Sequence, residues 1–431
     1  MSGAGLILRD GCRLFTEDKM LRFVVWIGLV ACALPAPAQV LTLEAARERA
    51  LARQPALAAL ELNARALADA APAEGALPDP RLKFGLLNLP TRNFPNQSWE
   101  DMTQMVVSYE QMLPGGDKRR LRERRALAEA EQARAESAGQ RQAILREVGV
   151  AWVEAWQAVA AEQKVRDLDR EFGHAAELAR IAISSGRGSQ AEVFASRQMQ
   201  SLVADRGFEL ASQAERARAA LRRWVPDAGA FDLPTDLPSW REPAPLAALA
   251  GMLEHHPQHA MHVRAQGTAE ADVALAREAT APDKSFEVGY GFRAGQNRSD
   301  MLMFQVAFEL PAWRAQKQDR LVEAKLKLAE RVREQRADHL RQLRAELDAA
   351  YAEWRIAGER LANFGGAVLP AVRGRLDTLI AAQSANRAEF GQVLEARRQL
   401  IETQLQVLAL EAVRARARVA LEYFEHAGET K

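Results

Sequence analysis

The chain has 431 residues, of which 48% are hydrophobic but only 6% aromatic, and its 27% charged residues leave a formal net charge of +1. That balance, with no sustained basic stripe, argues against a nucleic-acid partner. A composition led by alanine, glutamate, arginine, leucine and glutamine is that of long helices and coiled coils.

The first 38 residues read as a secretory signal. Met20-Leu-Arg22 supplies a positive start, Phe23 to Ala31 a short apolar core, and Ala36-Pro-Ala38 a small-residue cleavage site. Asp10, Glu17 and Asp18 do not suit a signal, so Met20 is the expected true start. An alternative box, Leu29-Val-Ala-Cys32, would leave Cys32 lipidated; either way the chain is exported. Cys12 and Cys32 are its only cysteines, and a thiol-free body suits an oxidising compartment. No later stretch is apolar enough for a membrane helix, so any crossing must be by strands.

The rest divides into two repeats, residues 39–240 and 241–431. In the first, Thr42 is a candidate N-cap for a helix running to about Ala71, before Pro72. The period then changes to two. Over 81–89, Leu82, Phe84 and Leu86 alternate with Arg81, Lys83 and Gly85. A loop from Asn88 to Asp101 follows. Over 103–112, Met105, Val107 and Tyr109 oppose Gln104, Val106, Ser108 and Glu110. A hairpin of long helices is expected over 117–224. Its first arm, Asp117 to Ser184, is proline-free, and about 68 residues at 1.5 Å each reach on the order of 100 Å. Ile144, Val148, Trp152, Trp156 and Val159 mark a coiled-coil seam. The tip carries Gly186 and Gly188. The basic run Lys118 to Arg125 reads as a solvated helix face. Residues 226–245, with five prolines, link the halves.

The second repeat has the same order. A helix carries His255, His259 and His262 at i, i+4 and i+7, a spacing able to bind a borderline divalent metal; the alternative is a polar helix face. No Cys or Met cluster accompanies it. In the strand over 285–293, Phe286, Val288, Tyr290 and Phe292 face one way. In the strand over 301–310, Phe304, Val306 and Phe308 do so. A second hairpin spans 315–425. Its seam is Leu340, Leu343, Leu347, Tyr351 and Trp354, it is interrupted by Gly365-Gly366 and Pro370, and its tip lies at Gln383 to Asn386. The halves align directly: Val107 to Pro114 beside Val306 to Pro311, and Glu192, Val193 and Arg197 beside Gln392, Val393 and Arg397.

Strands of nine or ten residues are long enough to cross a bilayer when tilted. Apolar-out and polar-in alternation is that of a transmembrane barrel; a half-buried soluble sheet alternates too, but needs a covering layer. Four strands cannot close a barrel. Two chains would give eight and a filled lumen, three would give twelve, and small polar inward positions favour three. Phe94, Trp99 and Trp313 are candidates for an interfacial aromatic belt. No nucleophile elbow, phosphate loop or metalloprotease helix is present, and no cofactor site is read from the sequence.

In this order and duplication, with Gln54-Pro55 matched by His256-Pro257 and a hairpin tip of Gly-x5-Glu-Val from Gly186 to Val193, the chain resembles the TolC family of outer membrane efflux channels. The run Glu110-Gln-Met-Leu-Pro-Gly-Gly-Asp-Lys-Arg119 is most similar to the branch serving heavy-metal pumps of the resistance-nodulation-division type. The resemblance implies a mainly α protein with a small transmembrane β part. It implies a homotrimer in outer membrane lipid, with a twelve-stranded barrel and a twelve-helix periplasmic tunnel. An inner-membrane pump and a periplasmic adaptor would be its partners. It further implies a periplasmic aperture on the second hairpin, here Gln392 and Glu395, where the family pattern has two carboxylates. The same fold could serve drug efflux or type I protein secretion. The alternative of another class is a soluble periplasmic coiled-coil adaptor.

Overall fold

The computed structural model describes residues 39–90, 100, 102–184, 189–226, 231–294, 297–385 and 387–425. The signal segment, Phe94, Trp99 and the hairpin-tip residues Gly186, Gly188 and Asn386 lie outside the described residues.

The first repeat begins with β1 (Gln39–Val40), paired in parallel with β4 (Phe231–Asp232) from the inter-repeat link. Thr42 then caps α1 (Leu43–Ala52), its hydroxyl accepting from the Ala45 N–H at 3.2 Å. The helix expected to run on to Ala71 instead breaks. A residue before proline avoids the helical region, Gln54 is extended, and α2 (Pro55–Gly75) restarts with Pro55 in its first turn. Pro72 sits inside α2 near its end. After β2 (Arg81–Leu87) and β3 (Gln104–Leu113) comes α3 (Lys118–Ser184), 67 residues without a break. The chain returns in α4 (Gln190–Arg222), opened by a reciprocal cap between Ser189 and Glu192. Glu192 of the Gly-x5-Glu-Val tip is therefore a helix-starting residue.

The second repeat runs α5 (Leu246–Met252), a short 3₁₀ turn at Leu253–His255, α6 (Pro257–Glu278), β5 (Lys284–Phe292), β6 (Met301–Phe308) and α7 (Gln318–Asn363). A π turn, Phe364–Val368, joins α7 to α8 (Leu369–Ser384), and α9 (Phe390–Glu425) returns. Glycines and Pro370 thus widen the helix without ending it.

The helices stand side by side as a palisade. Towards the sheet, α3 lies between α2 and α6, with α7 beyond α6. Towards the hairpin tips, α3 lies between α4 and α9, with α7 and α8 beyond α9. The short α2 and α6 therefore take up the lines of the returning α4 and α9.

Four of the five expected seam residues of α3 are buried, Val159 being only half-buried, and they pack against more than a partner helix. Ile144, Val148, Trp152 and Trp156 share one cluster with Leu41 and Leu43 of the N-terminal segment, Phe231 of the link and Val419 of α9. The Trp152 indole N–H donates to the Leu41 carbonyl at 2.8 Å, and that of Trp156 to the Thr235 carbonyl at 3.2 Å. Leu343 and Leu347 of α7 pack with Leu249, Leu253, Leu421 and Phe424 in a second cluster. The expected coiled-coil seams are thus a mid-height girdle, fastened by the N-terminal strand and the proline-rich link.

His256 joins two helix ends there. It is fully buried. The Gln258 N–H can only donate, so Nδ1, at 3.2 Å, accepts; Nε2 then carries the proton and donates to the Tyr423 carbonyl at 3.1 Å. One imidazole therefore satisfies an orphan donor at the start of α6 and an orphan acceptor at the end of α9. Burial holds the ring neutral and lowers its pKa from 6.5 to about 4, against the opposing pull of the Tyr423 carbonyl. The unfolded chain binds this proton first, so stability should fall as pH drops from 6.5 to about 4. The loss assigned to His256 is about 3 kcal/mol. Thermal unfolding of the detergent-extracted protein across that range should show the slope, and His256→Gln should flatten it.

Candidate functional site

The four strands form one antiparallel sheet in the order β2-β3-β5-β6. Its register fixes what each face carries. Leu82, Tyr109, Val288 and Phe304 lie in one row across all four strands; Phe84, Val107, Tyr290 and Leu302 lie in the next. Leu86, Met105 and Phe292 form a third, and Phe286, Val306 and Phe308 belong to the same face. These side chains are exposed, with Phe84 at 73% and Phe304 at 71%. No helix covers them, and the outer edges of β2 and β6 have no partner strand among the described residues.

The other face is polar in its central rows. Arg81, Glu110, Glu287 and Gln305 share one; Lys83, Ser108, Gly289 and Met303 share the next. The Lys83 ammonium lies 2.9 Å from both the Glu110 and the Glu287 carboxylates. The Ser108 hydroxyl donates to the second oxygen of Glu287 at 2.5 Å. This tie was not foreseen from sequence, because Lys83 and Glu287 are 204 residues apart.

The sheet is fixed to the palisade at one joint. The turn after β3, Pro114-Gly-Gly-Asp117, crosses the turn before β5. The Gly115 N–H donates to Asp283 Oδ1 at 2.7 Å, and Lys118 Nζ donates to the same oxygen at 2.6 Å and to the Ala281 carbonyl at 2.7 Å. Gly116 has φ +58, and a Cβ on Gly115 would lie 2.0 Å from the Pro282 carbonyl oxygen. Burial pushes the Asp283 carboxyl up, but the Lys118 ammonium and the Gly115 N–H outweigh it and hold the pKa below the ordinary value. The basic run from Lys118 is therefore only in part a solvated face. Lys118 is buried and Arg125 pairs with Asp272 at 2.6 Å, while Arg120 stays exposed beside Asp117.

At the opposite end, Gln392 and Glu395 lie in the first turns of α9, both exposed. The Gln392 side chain accepts from the Glu389 N–H at 3.4 Å, repeating the role Glu192 has in the first hairpin. Glu395 pairs with Arg398 at 2.5 Å, which lowers its pKa, and Arg398 also pairs with Glu402. Arg397 reaches Glu171 of α3 at 3.2 Å.

The three histidines expected on one helix face are not on one helix. Pro257 forces His256 into an extended conformation, which leaves His255 on the preceding 3₁₀ turn and exposed. His259 and His262 of α6 instead meet His339 of α7, with ring centroids 6.0 and 4.2 Å apart. The Arg336 guanidinium donates to His259 Nε2 at 3.4 Å. Burial lowers the pKa of all three rings. Among the described residues no group of three or more His, Cys, Asp or Glu is arranged to hold a metal ion. No described helix is long and apolar enough to cross a membrane.

No family model matches the chain, and no curated protein does. Solved structures do. CusC, whose crystal structures concern folding and transmembrane channel formation, aligns with 91% of this chain and 97% of its own, with TM-score 0.76 and 15% identity. The outer membrane protein VceC of Vibrio cholerae aligns over 89% and 95%, with TM-score 0.74 and 18% identity. The CmeC outer membrane channel of Campylobacter jejuni aligns over 99% and 94%, with TM-score 0.76 and 13% identity. The chain has the fold of TolC-type outer membrane channels, mostly helical with a small β part. CusC and CmeC, which share it, are channels, not enzymes.

The joint can be tested by substitution. Gly115→Ala must displace backbone and should cost about 1–3 kcal/mol in an unfolding titration. Gly85→Ala, where a Cβ meets nothing within 4 Å, should stay within about 0.5 kcal/mol of the parent.

Proposed function

We propose that the chain is one subunit of an outer membrane efflux conduit of the TolC family. Three copies pool their sheets into a twelve-stranded barrel and their palisades into a twelve-helix tunnel. The assembly crosses the outer membrane of a Gram-negative bacterium and extends into the periplasm. It is passive, and works with an inner-membrane pump of the resistance-nodulation-division type and a periplasmic adaptor.

One observation carries this reading: a four-stranded sheet with an exposed apolar face, a polar opposite face and two edges that are unpaired among the described residues. In lipid such edges are tolerated only when strands close on one another, and four strands close only by recruiting further copies. The adaptor alternative fits poorly, because a soluble protein has no use for an uncovered aromatic face.

For the cargo, heavy-metal cations are the reading adopted, with drug efflux and protein secretion as alternatives on the same fold. The Leu-Pro-Gly-Gly-Asp-Lys run that first suggested the metal branch is fully used as a joint in this chain. The acidic groups Glu395 and Glu402 near the tunnel end are what favour cations. Sensitivity of a deletion strain to zinc, cobalt, cadmium and copper, set against a drug panel, distinguishes the cargoes.

Two outcomes are expected. A cysteine replacing Tyr290 is modified by lipid-phase probes and not by aqueous ones; the reverse pattern would invert the facing of the sheet. Glu395→Lys lowers cation flux through planar bilayers, and unchanged conductance and selectivity would remove Glu395 from the aperture.

A further inference from the structure

Glu110 and Glu287 are direct register partners on β3 and β5. Like charges placed opposite each other destabilise a strand pair. Lys83 of β2 removes that repulsion by lying 2.9 Å from both carboxylates, and Ser108 holds Glu287 in place from the strand between. Across the spanning part of the polar face, the charged side chains are two cations, Arg81 and Lys83, and two carboxylates, Glu110 and Glu287. At about 0.1 M salt the screening length is about 10 Å, so a hydrated ion in a lumen of this kind senses the local balance and not each charge separately.

We infer that Lys83 is the residue that sets the ionic selectivity of the barrel lumen: together with Arg81 it balances the carboxylates of Glu110 and Glu287, which would otherwise leave this stretch with a net negative charge and make it a cation filter. The inference rests on the conduit reading and deepens it. The barrel accepts cations, anions and neutral solutes alike, and any preference for cations is exerted at the hairpin end. In the proposed threefold assembly, removing Lys83 unmasks one net negative charge per subunit in a single ring. Removing Glu287 unmasks one net positive charge at the same height.

The test is the reversal potential of the full-length protein in planar bilayers under a potassium chloride gradient. Lys83→Gln should raise the cation-to-anion permeability ratio several-fold, and Glu287→Gln should lower it. The double variant should return it close to the parent value. Opposite shifts cannot arise from general loosening of the barrel; a ratio unmoved by both variants, or moved the same way by both, overturns the assignment. Lys83→Cys gives a second readout, since the only native cysteines precede residue 39. A cationic thiol reagent attached there should restore the parent ratio, and a neutral one should leave it raised. The same labelling separates the two levels of the argument. If Lys83→Cys reacts with aqueous reagents while Tyr290→Cys does not, the facing stands and an unmoved ratio overturns the role of Lys83 alone. If water-borne reagents never reach Lys83→Cys, or the parent protein does not conduct, the conduit reading and this inference fall together.

Discussion

Everything in this structure turns on a sheet that cannot be satisfied within one chain. Among the described residues its apolar face is uncovered and its outer strands lack partners, and neither condition is stable alone in water or in lipid. A helix laid across the face would have solved the first problem, but every long helix is taken up elsewhere, standing side by side below the joint at Gly115 and Asp283. Closure by further copies solves both problems at once.

The palisade meets a different constraint. A wall of this length needs four parallel lines of helix, but each repeat supplies only one unbroken or nearly unbroken arm. The other two lines are assembled from pieces, α2 continuing α4 and α6 continuing α9. Helix ends leave polar backbone groups that must be satisfied when buried. At one junction that is the work of His256, and at both the second piece begins with proline, whose missing N–H is one donor fewer to satisfy. The repeated Gln-Pro and His-Pro pairs are the traces of this splicing.

Much of the layout was legible because it is periodic. Strand alternation set Leu82, Phe84, Val107, Tyr109, Phe286, Tyr290 and Phe304 on the apolar face of their strands before any pairing was known, since period two leaves a strand only two faces; the rows they share came only from the pairing. Thr42 and the long arm to Ser184 were equally plain. What escaped was what depends on distant pairing or on proline. The helix expected through residue 53 fails because Pro55 dictates the backbone of Gln54, and the histidine row fails because Pro257 does the same to His256. His339 enters the histidine group from another helix, and Lys83 finds its second carboxylate only once β3 pairs with β5. Gln392 looked like half of a carboxylate pair lost; its spacing after Glu389, the same as Glu192 after Ser189, was the overlooked capping signal.

The π turn at Phe364–Val368 has a consequence for the whole wall. Pro370 cannot donate, and its ring would crowd the carbonyl of Gly366 in a regular helix; the wider turn relieves this, with the Leu369 N–H reaching back to Phe364. A helix that absorbs one surplus residue swings everything beyond it by about 100° while its axis runs straight on. The buried stripe of α7, through Leu343, Leu347 and Ala357, accordingly does not extend into α8, none of whose residues is buried within the chain. One rod thus buries a stripe against its own chain along one stretch and leaves its side chains partly open along the next.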